Sequence, residues 1–354
     1  MFSRAAAATL VLLAAQASQY PHIPKMDPRG YVCYRANSPL TIDGRLNDAA
    51  WRDAPWTDVF VDIEGDTKPQ PRFRTRAKML WDDRYFYVGA ELDDPHVWAT
   101  LTEHDSVIFH DNDFEVFIDP NGDNHEYYEF EINALGTFWD LLLPRPYKDG
   151  GQAVNGWEIP GLKSAVAVDG TLNDARDADR GWSVELAFPW KALGELARRP
   201  SPPKNGDQWR VNFSRVEWPI DIEGRSERKV AGSHEDNWVW SPQGVVNMHR
   251  PETWGYVQFT TGRPGTVAFV PDASLPARRW LHEVYYAERA FLEQHQRWAS
   301  SLGELGVPAP RDETLSSADL KTTPSLFEAS IDLRLAGQPV QHWHIRQDAL
   351  IWRE

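Results

Sequence analysis

The chain has 354 residues, and its 37 basic and 52 acidic side chains give a formal net charge of −15. Its single cysteine, Cys33, cannot form a disulfide within the chain, which excludes a disulfide-stapled small protein and a cysteine-based zinc finger. Nucleic acids and anionic membranes bind clustered lysine and arginine, and the absence of such a block excludes both as partners. With 42% hydrophobic and 25% charged residues, the composition is that of a globular protein.

The first residues have the pattern of an export signal over residues 1–17. Arg4 precedes an apolar run over residues 5–15, and Ala15-Gln16-Ala17 fits a cleavage site of small residues. The run is too short to span a bilayer, and no later segment has that length. We therefore expect a secreted or periplasmic protein without a membrane span. The alternative is a buried N-terminal helix.

Residues 18–262 are predicted to form a mainly β domain, an antiparallel β-sandwich of jelly-roll or immunoglobulin-like type. Short runs of alternating apolar and polar residues are separated by turn clusters, which is typical of such sandwiches. The predicted strands include residues 78–80, 85–92, 114–119, 127–133, 182–188 and 209–218. The Gly-Arg-Pro-Gly sequence at residues 262–265 marks the end of this domain.

Residues 263–354 are predicted to form an accessory region, a helix followed by a small β-meander. Large apolar residues recur at helical intervals, which indicates one face of a long helix. They are Leu281, Val284, Tyr285, Phe291, Leu292 and Trp298. Gly303 and Gly306 then supply stop signals, and residues 327–333 and 341–345 alternate as strands do.

Six segments follow one another in an order that resembles the family 9 carbohydrate-binding modules. They are residues 42–51 (IDGRLNDAAW), 80–88 (LWDDRYFYV), 113–120 (DFEVFIDP), 128–133 (YEFEIN), 181–190 (GWSVELAFPW) and 254–259 (WGYVQF). The resemblance implies a jelly-roll β-sandwich with bound calcium. It also implies a carbohydrate ligand, which such modules clamp between two tryptophans.

The resemblance assigns ligand-binding positions one at a time. Phe109 stands where these modules have the first clamping tryptophan, six residues before the strand glutamate, which is Glu115. Glu131 replaces an arginine that is expected on the neighbouring strand. The residues near the second clamping position, or close enough in sequence to substitute for it, are Met248, His249, Trp238 and Trp240.

The residues themselves predict an acidic face on a β-hairpin. Residues 113–119 and 127–133 flank a Pro-Asn-Gly-Asp turn, and the simplest register sets Glu115 opposite Glu131. Alternation places five polar residues on one face: Asp113, Glu115, Glu129, Glu131 and Asn133. Facing like charges destabilise a strand pair by up to roughly 1 kcal/mol. We therefore expect a cation, an arginine or ligand hydroxyls between them.

Two interpretations of this face stay open. In one, it is a solvated sheet face with a salt bridge to Arg210 or Arg215. In the other, it binds a neutral sugar, since carboxylates and amides bond hydroxyls while an aromatic ring covers the apolar side of the sugar. The candidate carbohydrate-binding residues are Phe109, Glu115, Glu131, Asn133, Arg210, Trp238, Trp240 and His249.

The hairpin turn is a candidate calcium site. Asp119, Asn121, Asp123 and Glu126 supply side-chain oxygens around Gly122, which suits the six to eight oxygen ligands of Ca²⁺. The alternative is a hairpin turn that needs no ion, because Pro-Asn-Gly-Asp is a strong turn sequence. Calcium is the cofactor that we expect.

Two further functions are kept as alternatives to carbohydrate binding. Glu115 and Glu131 could approach the separation of roughly 5 to 5.5 Å found in retaining glycoside hydrolases, although other hydrolase and nucleotide-binding motifs are absent from the sequence. Met248 and His249 could hold haem b, although adjacent strand residues point in opposite directions. We expect binding without catalysis, and the sequence does not indicate a protein partner.

Overall fold

The structure is a computed structural model that describes residues 27–354, so the export signal expected at residues 1–17 lies outside the described residues. Contacts divide the chain into two compact units. The larger takes the described residues up to Leu275 together with Asp348–Trp352, and the smaller takes Pro276–Gln347 and Arg353–Glu354. Within residues 27–354, no helix combines the length and the apolar character that crossing a bilayer requires.

The larger unit consists mainly of β-strands, as the alternating sequence predicts. Its strands are β1 (Gly30–Arg35), β2 (Val61–Asp62), β3 (Thr75–Trp81), β4 (Tyr85–Asp93), β5 (Asp113–Asp119), β6 (Tyr127–Asn133), β7 (Phe138–Leu143), β8 (Lys163–Asp169), β9 (Gly181–Pro189), β10 (Gln208–Glu217), β11 (Ile220–Glu223), β12 (Ser226–Lys229), β13 (Asp236–Val239) and β14 (Gly255–Thr260). The short helices are α1 (Ala49–Asp53) and α2 (Trp190–Leu193). Each strand predicted from alternation is present, and the strands that the sequence analysis did not name include β1, β7, β8 and β13.

Most of these strands form one curled sheet. Their order is β7-β6-β5-β10-β14-β1-β3-β4-β9-β8, with β13 paired to β10 and β2. The pairing is antiparallel except at β1, which runs parallel to both β14 and β3. The two halves of the sheet face each other as in a sandwich, because Phe130 on β6 lies with its ring centre 5.5 Å from that of Phe188 on β9.

The main core fills the space between the two halves of the sheet. Aromatic rings dominate it, and Trp190 makes edge-to-face contacts with Trp209 and Phe259 at 5.4 and 5.6 Å. Such pairs contribute about 0.5 to 1.5 kcal/mol beyond the burial of their area. Gly255 begins the closing strand β14 directly against Trp240, where a Cβ would lie 2.4 Å from the indole ring. Only glycine allows this approach.

A second group of buried side chains lies on the opposite face of β5 and β6. This outer cluster contains Ile63, Phe117, Tyr127, Leu141, Leu143, Val239, Met248 and Trp254. Its members come from several strands and from the segment that precedes β14. The β5–β6 hairpin is therefore covered on both faces, whereas the sequence predicted one solvated face.

The smaller unit contains the predicted helix and meander. Its elements are α3 (Leu275–His295), α4 (Leu302–Leu305), β15 (Leu315–Thr322), β16 (Phe327–Leu333) and β17 (Gln341–Arg346). The last short strand, β18 (Ile351–Arg353), belongs to the larger unit except for Arg353. Strand β16 pairs antiparallel with β15 and with β17. The helix ends before Trp298, whose ring instead packs 5.0 Å from that of Phe327.

Candidate functional site

The β5–β6 hairpin has the register that the sequence predicts. Glu115 lies opposite Glu131, and Asp113 lies opposite Asn133. The alternate residues Phe114, Val116, Phe130 and Ile132 belong to the main core. The remaining carboxylates share the other side of the hairpin. We call this surface, made by Asp113, Glu115, Glu129 and Glu131, the acidic face.

The acidic face is buried rather than open to solvent. Asp113 is 0% exposed, Glu115 and Glu129 are each 5% exposed, and Glu131 is 2% exposed. The outer cluster covers part of the hairpin, and the chain before β5 crosses close to Glu131. There the backbone N–H of Phe109 donates to Glu131 Oε2 at 3.1 Å. The expectation of an outward acidic surface is therefore wrong.

Few hydrogen-bond donors reach these carboxylates. The backbone N–H of Val216 donates to Asp113 Oδ1 at 3.2 Å. The second oxygen of Asp113 and Oε2 of Glu129 have no hydrogen-bond partner. One carboxylate oxygen from each of Asp113, Glu115 and Glu131 lies within 4.8 Å of the other two. Because an isolated buried charge is costly, this cluster requires protons, a cation or hydroxyl donors.

The pKa values of the four carboxyl groups on the acidic face are all raised, as expected for buried carboxyl groups with few donors. Burial raises the pKa of Glu115 to about 7. Burial, and then the neighbouring charge of Glu115, raise the pKa values of Asp113, Glu129 and Glu131 well above their usual range. At neutral pH the group therefore shares protons. A carboxyl group that keeps its proton donates a hydrogen bond, while its ionised neighbour accepts one.

The predicted salt bridge to Arg215 is absent, because alternation along β10 places Arg215 on the opposite side of the sheet. Its guanidinium lies 2.8 Å from Glu217 and 3.4 Å from Asp94, and none of its side chain is exposed. It also lies above the ring of Trp238, 5.4 Å from the ring centre. Arg215 therefore belongs to a buried ion-pair network of its own.

Arg210 and Asn133 anchor loops instead of facing a ligand. The Arg210 guanidinium donates to the carbonyl oxygen of Pro251 at 3.1 Å and lies 4.0 Å from the centre of the Tyr256 ring. The Asn133 side chain donates to the Leu101 carbonyl oxygen at 2.9 Å and accepts from the backbone N–H of Thr137 at 3.1 Å. The sequence identified both as ligand-binding residues, and the structure corrects both assignments.

Trp238 and Trp240 belong to the main core, which corrects their assignment to the ligand site. They are 3% and 1% exposed. Trp240 packs with its ring centre 5.8 Å from that of Phe213, and Trp238 packs 6.1 Å from Phe73. Alternation along this part of the chain places the intervening Val239 on the side of the outer cluster. The two tryptophans therefore point away from the acidic face.

Three partly exposed aromatic residues surround Glu131 instead. Phe109 is half-buried beside it, and Trp139 on β7 lies opposite Glu131 in the strand register. Tyr147 is 44% exposed. Its ring packs against that of His249, and burial, followed by the charges of Glu129 and Glu131, raises the pKa of Tyr147 to about 12. We call Phe109, Trp139 and Tyr147 the aromatic rim.

The sequence analysis identified Phe109 but missed Trp139 and Tyr147. A signal for Trp139 was available, because Trp139, Leu141 and Leu143 alternate with Phe138, Asp140 and Leu142 directly after the turn that ends β6. Tyr147 lies in a loop without periodicity. Its position near the acidic face follows from tertiary structure alone.

His249 lies next to the aromatic rim. Its Nδ1 lies 2.9 Å from the Tyr127 hydroxyl, and its ring centre is 4.4 Å from that of Tyr147. Burial lowers the pKa of His249 to about 4, so the imidazole is neutral at pH 7. The neighbouring Met248 packs into the outer cluster. Both side chains thus have packing roles, and the geometry does not favour the haem alternative.

The polar side chains of the hairpin turn already have hydrogen-bond or ion-pair partners within the protein. Asp119 accepts from the backbone N–H groups of Gly122 and Asn124 at 2.8 and 2.9 Å. Asn121 donates to Asp123 at 2.8 Å, and Glu126 pairs with Arg198 at 2.6 Å. Among the described residues, acidic and histidine side chains converge in threes at two places, and neither includes this turn. As arranged here, these oxygens do not fit a calcium ion, and calcium stays a prediction.

Comparisons with known proteins agree with the resemblance seen in the sequence. The family model described as "Carbohydrate family 9 binding domain-like" matches residues 42–213. Exoglucanase XynX of Acetivibrio thermocellus is 29% identical over 215 residues, which are 58% of this chain and 17% of that protein. Endo-1,4-beta-xylanase A of Thermoanaerobacterium saccharolyticum is 31% identical over 210 residues, which are 58% of this chain and 16% of that protein.

Among solved structures, the chain is similar to a carbohydrate binding module family 9 from Caldicellulosiruptor kristjanssonii in complex with cellotriose. The identity is 16% and the TM-score 0.44, and the match covers 68% of this chain and 100% of that one. The chain spans less than a fifth of the length of the two curated relatives. Residues 42–213, slightly less than half of the chain, are thus similar to the carbohydrate family 9 binding domain-like family.

Proposed function

We propose that this chain is a carbohydrate-binding protein that holds neutral sugars against the partly exposed aromatic rim, next to the buried carboxyl groups of the acidic face, without hydrolysing them. The observation that carries the proposal is the carboxyl cluster of Asp113, Glu115 and Glu131, in which Asp113 Oδ2 has no hydrogen-bond partner, inside a domain similar to the carbohydrate family 9 binding type. Sugar hydroxyls both donate and accept hydrogen bonds, and they match a set of carboxyl groups that shares protons.

The aromatic rim supplies the second element of sugar recognition. An aromatic ring covers the apolar C–H side of a pyranose while polar groups bond its hydroxyls. Trp139 and Phe109 both lie beside Glu131, so rings and carboxyl groups are close together. The names of the curated relatives are those of a xylanase and an exoglucanase. We therefore propose β-linked glucan or xylan chains as the ligand class.

Binding is tested by calorimetry with cellotriose and xylotriose on the full chain. Glu115→Gln keeps the shape of the side chain but removes its charge, and we expect at least about tenfold weaker binding, since hydrogen bonds to charged groups contribute roughly 1.5 to 3 kcal/mol. Glu223→Gln, an exposed acid on β11, is the matched control and should bind as the parent does. No binding by the parent, or equal binding by Glu115→Gln, contradicts the proposal.

Absence of catalysis is tested separately. Glu115 and Glu131 are buried side by side, whereas the two acids of a glycoside hydrolase must reach opposite sides of a bound sugar. Incubation with xylan and with cellulose should release no new reducing ends. Release that disappears in Glu115→Gln would support the hydrolase alternative instead.

We also propose that the protein acts outside the cytoplasm. The support is the sequence pattern of residues 1–17, together with ligands that are polymers of the cell exterior. Expression in a bacterial host and mass analysis of the exported product test it. We expect a mature chain that begins at Ser18, and a product that stays inside the cell at full length would contradict the proposal.

A further inference from the structure

A second polar cluster lies on the opposite side of β7 from Trp139. His104 and Asp105 come from the segment before β5, Asp140 lies on β7, and Glu158 lies in the loop after it. His104 Nε2 lies 3.3 Å from Glu158, 3.4 Å from Asp105 and 3.8 Å from Asp140, in each case measured to a carboxylate oxygen. Three acids therefore surround one ring nitrogen.

The imidazole of His104 is held with Nε2 pointing into this cluster. Its Nδ1 lies 3.0 Å from the carbonyl oxygen of Phe138, and only a protonated Nδ1 can donate there. The ring also packs edge-on to the Phe138 ring, with 4.7 Å between the ring centres. In a neutral imidazole this tautomer leaves a lone pair on Nε2, facing oxygens that are themselves only acceptors. Metal-bound histidines have the same arrangement, with the second nitrogen bonded to a backbone carbonyl.

Asp140 provides a second, independent observation. Its Oδ2 accepts from the backbone N–H of Ile159 at 2.6 Å, which also fixes the position of the adjacent Glu158. Its Oδ1 is buried and has no hydrogen-bond partner, and the residue is only 1% exposed. This unpartnered oxygen faces His104 Nε2. A buried carboxylate oxygen without a donor indicates a missing positive partner.

We propose that His104, Asp140 and Glu158 bind a zinc ion, with Asp105 as a further oxygen ligand. One nitrogen and several carboxylate oxygens are a ligand set that zinc accepts at bond lengths of about 2.0 to 2.2 Å. The three ligand atoms of His104, Asp140 and Glu158 lie within 4.8 Å of one another. Small side-chain rotations bring them to one ion.

The site is open to solvent, so an ion can enter it. The side chains of His104 and Glu158 are 43% and 59% exposed, while Asp140 forms the buried floor at 1%. The imidazole ligand favours zinc or another first-row transition metal over calcium, which binds oxygen almost exclusively. The site is separate from the acidic face, which offers only oxygen ligands.

The test uses the full chain after removal of metals by dialysis against EDTA. Calorimetric titration with ZnCl₂ should show one strong site, and added Co²⁺ should give visible absorption bands from nitrogen and oxygen ligation. His104→Gln and Asp140→Asn should each weaken zinc binding at least about tenfold, since loss of even outer-shell partners has effects of that size. In Asp140→Asn the amide oxygen can still accept from Ile159, which preserves the loop.

His234→Gln removes an exposed histidine on another segment and is the matched control, with zinc affinity expected to stay unchanged. A chain that binds no zinc, or that binds it equally well after His104→Gln, would overturn the proposal. In that case His104 is a protonated partner of the three acids. Binding of cellotriose is measured in parallel, so failure of the zinc site and failure of the sugar site are recorded separately.

Discussion

Glu185 and the acidic face are buried carboxyl groups of the same sheet, but they differ in how many hydrogen bonds they accept. Glu185 on β9 is 0% exposed, and its carboxylate accepts from the backbone N–H groups of Asp43 and Gly44 at 2.9 and 3.0 Å. It also accepts from Trp51 Nε1 at 2.6 Å. The acidic face, by contrast, has four carboxyl groups and few donors. A carboxylate surrounded by donors fastens the fold, whereas a cluster without donors leaves bonding capacity for a ligand.

The comparison also explains part of the sequence resemblance. Residues 42–51 and 181–190 are two of its six segments, and Glu185 joins them physically through Gly44 and Trp51. These segments are therefore one structural unit, formed by a carboxylate and its donors. The segments that contain Glu115 and Glu131 are joined by strand pairing instead. Their carboxyl groups accept fewer hydrogen bonds than Glu185 does.

The largest expected effect is on Glu185. Glu185→Ala leaves three donors, two of them buried, without an acceptor. We expect the free energy of unfolding to fall by about 3 kcal/mol or more, because each orphaned buried group costs roughly 1 to 3 kcal/mol. Urea unfolding followed by tryptophan fluorescence measures it. Glu185→Gln keeps one acceptor oxygen and should lose less. An unchanged unfolding midpoint in Glu185→Ala would show that Glu185 does not stabilise the fold more than the carboxyl groups of the acidic face do.

Glu131→Gln should weaken ligand binding without destabilising the fold, which is the opposite of the effect expected for Glu185→Ala. It removes a buried ionisable group that faces Glu115 and whose ionised form burial disfavours, so the free energy of unfolding at pH 8 should stay level or rise by up to about 1 kcal/mol. Binding of cellotriose should nevertheless weaken. Calorimetry and urea unfolding of the same preparation give both values. A large loss of stability would mean that Glu131, like Glu185, has mainly a structural role.

The dependence of stability on pH sharpens the comparison further. Burial raises the pKa of Glu115 from 4.5 to about 7, so between these values the folded state binds more protons than the unfolded state. The free energy of unfolding contributed by this group therefore falls as pH rises through that range. Melting temperatures from pH 5 to pH 8 should decline less in Glu115→Gln than in the parent. Identical slopes would show that Glu115 does not titrate there.

The smallest effect is expected from calcium removal at the hairpin turn. Asp119 already accepts two backbone N–H groups, and Asn121 bonds Asp123. EGTA, which prefers calcium, should therefore change the melting temperature by little. A clear decrease that added CaCl₂ reverses, and that Asp123→Asn abolishes, would show that the turn rearranges around an ion as the sequence predicts.

Local pattern was sufficient for the strands with clear alternation and for the hairpin register. Period-two alternation from Phe114 to Ile118 fixes which side chains enter the core, and a short turn leaves little freedom in the pairing of Glu115 with Glu131. These features depend on residues that are near one another in sequence. They were therefore predictable from the sequence.

The cover over the acidic face was not predictable in this way. It includes Ile63, Met248 and Trp254, which are brought to β5 and β6 from distant parts of the chain. Likewise, the side of the sheet to which Trp238 points depends on the pairing of β13 with β10, in which Trp238 lies opposite Arg215. Pairings between distant segments carry no local periodic signal, so the sequence placed this tryptophan on the wrong side.

The parallel pairing of β1 with β14 has a consequence for biosynthesis. Gly30 lies in register with Tyr256, whose backbone N–H donates to the carbonyl oxygen of Arg29 at 2.7 Å, and β1 links β14 to β3. The two halves of the sheet therefore join only after the ribosome has delivered the closing strand. Until then the first strand has no partner on one edge. Such long-range closure slows folding, because the entropic cost of joining distant segments precedes the contacts that they make.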